Sequence, residues 1–194
     1  MNDRAIPGVF AGRSHRLVTE RLEIAPLTRE EAELYLTDVA KFARRLGLNE
    51  TPSEPGPGTR NALNWLVDLG LSYDSNTIVY AAIWALVERS TRRFIGVASF
   101  KGEPIDGDVE IGYEIDAPFR GKGFMTEAIR AFVEWGRSRP ELKGIVAETL
   151  KNNLPSQRVL TAAGFVTYEG KEDSVEDGIF WRVDVSTSPI ELFA

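Results

Sequence analysis

Three stretches of the chain carry residue types that could do chemistry. The first is PFRGKGFMTEA, Pro118 to Ala128, which packs two glycines and two cations into one bend. It follows an apolar, strand-like run and leads into a helix-like run. A strand, a glycine bend and a helix start together make an anion site. The helix start offers unpaired N–H groups and a partial positive charge. Glycines let the backbone close on a phosphate with no side chain in between. Arg120 and Lys122 add charge. The second stretch is DVEIGYEI, Asp108 to Ile115. It alternates, with Val109, Ile111, Tyr113 and Ile115 on one face and Asp108, Glu110, Gly112 and Glu114 on the other. Unpaired buried carboxylates are costly, so the acidic face is expected to look onto solvent or an open cleft. The third is KNNLPSQRVL, Lys151 to Leu160, where Asn153 precedes a helix with proline near its start and fits an N-cap.

The spacing around the bend excludes two phosphate binders. A Walker loop needs G-x-x-x-x-G-K-[ST], but Lys122 is followed by Gly123 and Asp116 stands where the first glycine belongs. A dinucleotide fingerprint needs G-x-G-x-x-G. Gly121 and Gly123 fit, but the last position is Thr126. That fingerprint also expects glycines tight against the strand end, whereas five residues separate Ile115 from Gly121.

Bulk composition removes further classes. The 194 residues suit one domain with a sizeable core. There is no cysteine, which excludes disulfides, thiolate metal sites and a cysteine nucleophile. The single His15 rules out a histidine metal cluster, and no metal is expected. A net charge of -6, from 23 basic and 29 acidic residues, argues against a nucleic-acid binder. The N-terminal residues have no apolar signal-peptide core. No apolar run approaches the roughly 18 residues of a membrane span. A soluble cytoplasmic protein is expected.

These stretches need elements to position them. Residues 1–16 read as an irregular, loose segment, and 17–194 as one domain. A strand at Arg21–Leu27 leads to a capping box made by Thr28 and Glu31. A helix from Arg29 to about Leu46 carries Leu34, Tyr35, Val39, Phe42 and Leu46 on one face. After a Pro/Gly loop, a second helix runs from Thr59 to Leu69. Thr77–Arg89 and Arg93–Lys101 read as a hairpin, and Val109–Ile115 as a third antiparallel strand. A helix from Met125 to Ser138 presents Phe124, Ala128, Phe132 and Trp135, widened by Ile129 and Val133. Then come a strand at Gly144–Leu150, a helix at Leu154–Ala163 and a final hairpin, FVTYEG and IFWRVDV, around Lys171–Gly178. The order predicts an α/β (α+β) fold: a mixed, mostly antiparallel sheet of six to seven strands with helices on both faces.

The bend sequence RGKGFM, Arg120 to Met125, resembles the [QR]-x-x-G-x-[GA] motif of the GNAT superfamily of N-acetyltransferases. Arg120 matches the first position and Gly123 the glycine, while Met125 departs from the small last residue. TERLEIAPL, EIGYEI, RGKGFMTEA and NLPSQRVLTAAGF occur in the order seen in the RimJ/RimL-like branch, from about Leu17 to Val185. Members of that branch acetylate protein N-terminal amines and diverse small amines. The resemblance implies a GNAT fold, splayed around an acyl-CoA cleft between the strand before the bend and the strand after the helix. It implies acetyl-CoA as co-substrate, with the pyrophosphate on the N–H groups of Gly121, Lys122, Gly123, Phe124 and Met125, beside Arg120. Asn153 would hydrogen-bond the pantetheine arm, and Phe165 would pack beneath the cofactor. The base would be a carboxylate on the preceding strand, Glu110 first and Glu114 or Asp108 in reserve. Other branches protonate the leaving thiolate from a tyrosine on the later helix. No tyrosine lies between Leu150 and Thr167, so Ser156 is the available donor. Tyr168 is expected in the core. The implied partner is an amine-bearing small molecule or a protein N-terminus, without nucleic acid or membrane, and a homodimer is allowed. Phe42, Trp65, Tyr73 and Trp84 could shape the acceptor pocket or belong to the core. The alternative reading is an acyl-CoA-binding module without turnover.

Overall fold

The computed structural model describes residues 8–68, 78–168 and 178–186. Leu69, Gly70, Tyr73, Thr77, the end of FVTYEG and residues 171–177 of the last hairpin loop lie outside them. The elements run β1 (Leu17–Val18), β2 (Leu22–Pro26), α1 (Arg29–Thr37), α2 (Val39–Leu46), α3 (Pro57–Asp68) and α4 (Ile78–Ala81). They continue through β3 (Ile83–Glu88), β4 (Arg93–Phe100), β5 (Asp108–Ile115), a 3-10 turn (Ala117–Phe119) and α5 (Phe124–Arg137). The last are β6 (Gly144–Leu150), α6 (Leu154–Ala162), β7 (Val166–Tyr168) and β8 (Gly178–Asp184).

The strands form one eight-stranded sheet in the order β1-β2-β3-β4-β5-β6-β8-β7. Every neighbouring pair is antiparallel except β5 and β6, which the α5 crossover makes parallel. The architecture is the expected mixed, mostly antiparallel sheet. It has one strand more than six to seven because the two-residue β1 adds an edge.

Two cores cover the sheet faces. Under α5, Phe124, Ala128, Ile129, Phe132, Val133 and Trp135 are buried, the face read from the sequence. Phe132 meets Trp84 edge-on at 5.2 Å and Phe100 at 5.6 Å, while Trp135 stacks on Phe100 at 5.2 Å. Such edge and offset contacts suit the ring quadrupoles. On the other face, Tyr35, Phe42, Leu46 and Leu63 from α1, α2 and α3 pack on Ala85, Val87 and Val97.

Three expectations need correction. The helix expected over Arg29–Leu46 is two helices. Asp38 leaves helical geometry at φ -155 and ψ 83, and its carboxylate accepts the Lys41 N–H at 2.9 Å, capping α2. The strand expected from Thr77 begins only at Ile83. Ile78–Ala81 form a helical turn, fastened where Trp84 Nε1 donates to the Val79 carbonyl at 3.0 Å. Residues 8–16 carry no helix or strand, yet they are seated, not loose. Phe10 is fully buried and its N–H donates to Glu23 Oε2 at 3.0 Å. Arg13 donates to the Pro26 carbonyl at 2.7 Å and pairs with Glu31.

Candidate functional site

The site begins where two strands part. β5 and β6 pair only over Asp108–Gly144, Val109–Ile145 and Glu110–Val146. Beyond Glu110, β5 stays with β4 as far as Ile115, and β6 stays with β8 as far as Leu150. The gap between them is a cleft of about 750 Å³. Tyr113, Glu114 and Ile115 of β5 line one wall, the glycine bend and first turn of α5 close one end, and α6 forms the other wall.

At the bend, Gly121 and Gly123 hold φ of 72 and 79. That left-handed region is strained for side-chain-bearing residues. A Cβ at Gly121 would meet nothing within 4 Å, so the backbone there is bare. Gly123 is the N-cap of α5 and offers no capping side chain. The first helical bond runs from Glu127 N to Gly123 O at 3.0 Å. The N–H groups of Gly123, Phe124, Met125 and Thr126 are therefore left without a helical acceptor. All four residues line the cleft, at the positive end of the helix dipole.

The structure brings most of the proposed cofactor residues to this cleft. Arg120, Gly121, Gly123, Phe124 and Met125 line it from the bend, and Asn153 and Ser156 line it from α6. Arg120 folds its Nε back onto the Ile115 carbonyl at 3.1 Å. Lys122 is not among the lining residues, and its ammonium lies 5.7 Å from the Phe119 ring centre. Met125 is 4% exposed and packs into the α5 core, so its bulk does not cover the first-turn amides. Asn153 caps α6, its Oδ1 accepting the Ser156 N–H at 3.3 Å. Phe165 is buried in the main core and is not a lining residue.

The acidic face of β5 does not lie open as expected. Asp108 is held by Arg182 through two bonds of 2.9 and 3.0 Å. Glu110 lies on the last paired position, away from the cleft, and is ion-paired with Lys101. Glu114, four residues beyond, lines the cleft, and its Oε2 accepts from Thr59 Oγ1 of α3 at 2.5 Å. Of the three carboxylates, only Glu114 is past the point where the strands separate. Just after it, the Asp116 carboxyl is raised by burial and by the Glu114 charge, against hydrogen bonds from Ser53.

A residue assigned to the apolar face joins the site. Tyr113 Oη lies 2.7 Å from Ser156 Oγ and 3.2 Å from the Ser156 carbonyl. Burial pushes the phenol up to about 12, a rise moderated by Ser156, so it stays protonated and able to donate at neutral pH. Thr126 and Arg158 also line the cleft, beyond the residues expected there from the sequence. Pro155, Arg158, Val159 and Ala162 recur at helical spacing, so that lining face of α6 was available as a signal. Nothing local marked Tyr113, since its role depends on a contact 43 residues away in the chain.

The acceptor candidates divide. Phe42 and Trp84 are fully buried core residues. Trp65 is 48% exposed and borders a small apolar cavity of about 210 Å³ with Ala62, Ile83 and Phe100. Tyr168 is 40% exposed on the outer strand β7, against Phe180 at 6.0 Å, and is not core. Among the described residues, no helix is long and apolar enough to cross a membrane.

Residues 21–166 match the acetyltransferase (GNAT) domain family. An uncharacterized N-acetyltransferase p20 of Bacillus licheniformis is 28% identical over 155 residues, which cover 77% of this chain and 81% of that protein. A ribosomal-protein-serine acetyltransferase of Escherichia coli is 33% identical over 73 residues, 37% of this chain and 41% of that protein. Among solved structures, RimL, a ribosomal alpha-N-protein acetyltransferase in complex with coenzyme A, superposes with a TM-score of 0.61 at 20% identity, covering 88% of this chain and 98% of its own. A ribosomal-protein-S5-alanine acetyltransferase from Vibrio fischeri gives 0.58 at 20% identity, covering 87% and 96%. At these identities the two structures show the fold alone.

Proposed function

The chain belongs to the GNAT acetyltransferase family, and on that premise we propose that it transfers acetyl from acetyl-CoA to a primary amine in a ternary complex. One observation carries the reading. The bare amides of the glycine bend open onto the same cleft as Asn153, Ser156 and Tyr113, where β5 and β6 part. The donor set fits the cofactor: a helix N-terminus and positive-φ glycines for a pyrophosphate, in a cleft of about 750 Å³ with room for a pantetheine arm.

Acetyl-CoA, when bound, supplies the thioester from which the amine takes the acetyl group as CoA leaves. The N–H groups from Gly121 to Met125 would hold the pyrophosphate, with Arg120 and Arg158 adding positive charge at the cleft. Asn153 would orient the pantetheine arm. Glu114, in place of Glu110, would accept the proton that the amine must lose. Ser156 would donate a proton to the leaving sulfur, and Tyr113 Oη, 2.7 Å from its Oγ, would give its hydrogen to the serine oxygen in that step, leaving the serine hydrogen for the cleft.

The names of the ribosomal-protein acetyltransferases among its relatives support a protein N-terminal amine as acceptor ahead of a small-molecule amine. The test is calorimetry with acetyl-CoA followed by CoA release across N-terminal peptides and an amine panel. Saturable binding with turnover of a peptide is the expected result. Binding without CoA release from any amine would instead make the protein an acyl-CoA-binding module. No binding at millimolar acetyl-CoA would sink both.

A further inference from the structure

Arg21 stands outside the cleft, yet its side chain grips the glycine bend from behind. Its Nη1 donates to the Lys122 carbonyl at 3.0 Å. Its Nε donates to Glu127 Oε2 at 2.6 Å, and its backbone N–H to Glu127 Oε1 at 2.9 Å. The guanidinium also lies 4.3 Å from the centre of the Phe124 ring. Thr19 Oγ1 completes the set, donating to Glu127 Oε1 at 2.5 Å.

Two consequences follow from elementary geometry and charge. The 122–123 peptide is trans and planar, since the described chain has no cis bond. Its C=O and N–H point in opposite directions. With the Lys122 carbonyl turned out to Arg21, the Gly123 N–H is turned the other way, into the cleft. Gly123 has no side chain to hold this orientation, so a contact from elsewhere must. The second consequence concerns charge. Glu127 lies in the first turn of α5, close to where an anion would sit. An unpaired carboxylate there would repel phosphate. Arg21 pairs it and leaves the helix end net positive.

We propose that Arg21 is a positioning residue for the cofactor, which fixes the Gly123 amide toward the pyrophosphate and neutralises Glu127 behind it. The proposal rests on the reading of the cleft as an acyl-CoA site. A guanidinium suits the task because one planar group reaches a carboxylate and a carbonyl together. A lysine ammonium at the same place can neutralise Glu127 without also setting the carbonyl.

Two measurements separate the clamp from the cleft reading. The first needs no ligand: hydrogen–deuterium exchange of peptides spanning residues 119–127 in the unliganded full chain. Arg21→Ala and Arg21→Lys should both exchange faster than wild type at the bend, with the rest of the chain unchanged. Equal exchange at the bend would overturn the clamp, whether or not the protein binds CoA. The second is calorimetry with CoA and with S-acetylpantetheine, which lacks the pyrophosphate. Arg21→Ala should bind CoA about tenfold more weakly and acetylpantetheine as wild type does. Arg21→Lys should fall between. Arg21→Ala/Glu127→Gln should regain part of the loss, because the repelling charge is gone. KM for acetyl-CoA should rise while kcat at saturation holds. CoA affinity within twofold of wild type in Arg21→Ala, or an equal loss for acetylpantetheine, would refute the assignment. Failure of the wild-type protein to bind CoA would refute the cleft reading instead.

Discussion

The hydroxyls of Tyr113 and Ser156 lie 2.7 Å apart across the cleft, one on β5 and one on α6. The pair joins the cleft's two walls. A hydrogen bond given by the phenol to the serine oxygen would make Ser156 a better proton donor than a lone hydroxyl. Ser156→Ala and Tyr113→Phe should each lower kcat by about 10²-fold with little change in the KM for acetyl-CoA. The double variant should lose little beyond the worse single variant, because the two act as one relay. Steady-state kinetics on the best acceptor decides this, and independent, multiplicative losses would break the relay.

The carboxylates of β5 make a paired prediction. Glu114→Gln should reduce kcat/KM by about 10²-fold, because a carboxamide cannot accept the proton that the amine loses. Glu110→Gln should stay within about twofold, since it loses only a partly exposed ion pair with Lys101. Steady-state kinetics of both variants on the same acceptor distinguishes them. The reverse ranking would return the role to Glu110.

Gly123→Ala tests the bend itself. Alanine at φ 79 costs about 1 kcal/mol, equivalent to a fall in melting temperature of roughly 3 °C for a chain of this size. The larger effect should be on CoA binding, because the added methyl group and any backbone shift disturb the amide that Arg21 orients. Differential scanning calorimetry and CoA titration read the two effects separately. A small stability loss with unaltered affinity would remove Gly123 from the pyrophosphate site.

Glu127 links the site to acid stability. Burial alone would raise its carboxyl, but hydrogen bonds from Thr19 and Arg21, and the Arg21 charge, hold it below its ordinary value. A carboxyl lowered on folding contributes stability that is fully present above its unfolded value and is lost as pH falls through its folded value. Glu127→Gln should therefore be less stable at neutral pH and lose less on acidification. Melting temperature measured across the carboxylate range checks it. A wild-type acid limb preserved in Glu127→Gln would show that the carboxylate is not a source of it.

The parts of this protein that the sequence by itself determined are those set by neighbours in the chain. The glycine bend, the Thr28–Glu31 capping box and the apolar face of α5 follow from backbone freedom, a side chain reaching three residues on and the helical period. The order of strands and helices followed in the same way, and with it the resemblance to the family. Tertiary structure decided what depends on distant partners. Alternation placed Asp108, Glu110 and Glu114 on one face as equals. Where β5 stops pairing with β6 separates them, and Lys101 and Arg182 occupy the two that remain in the paired stretch. Tyr113 looked like packing until α6 brought Ser156 to it, and Arg21 looked like the start of a strand until it met Lys122 and Glu127, more than a hundred residues on. Local rules assign conformation and face, but only long-range pairing fixes which polar groups share a cleft.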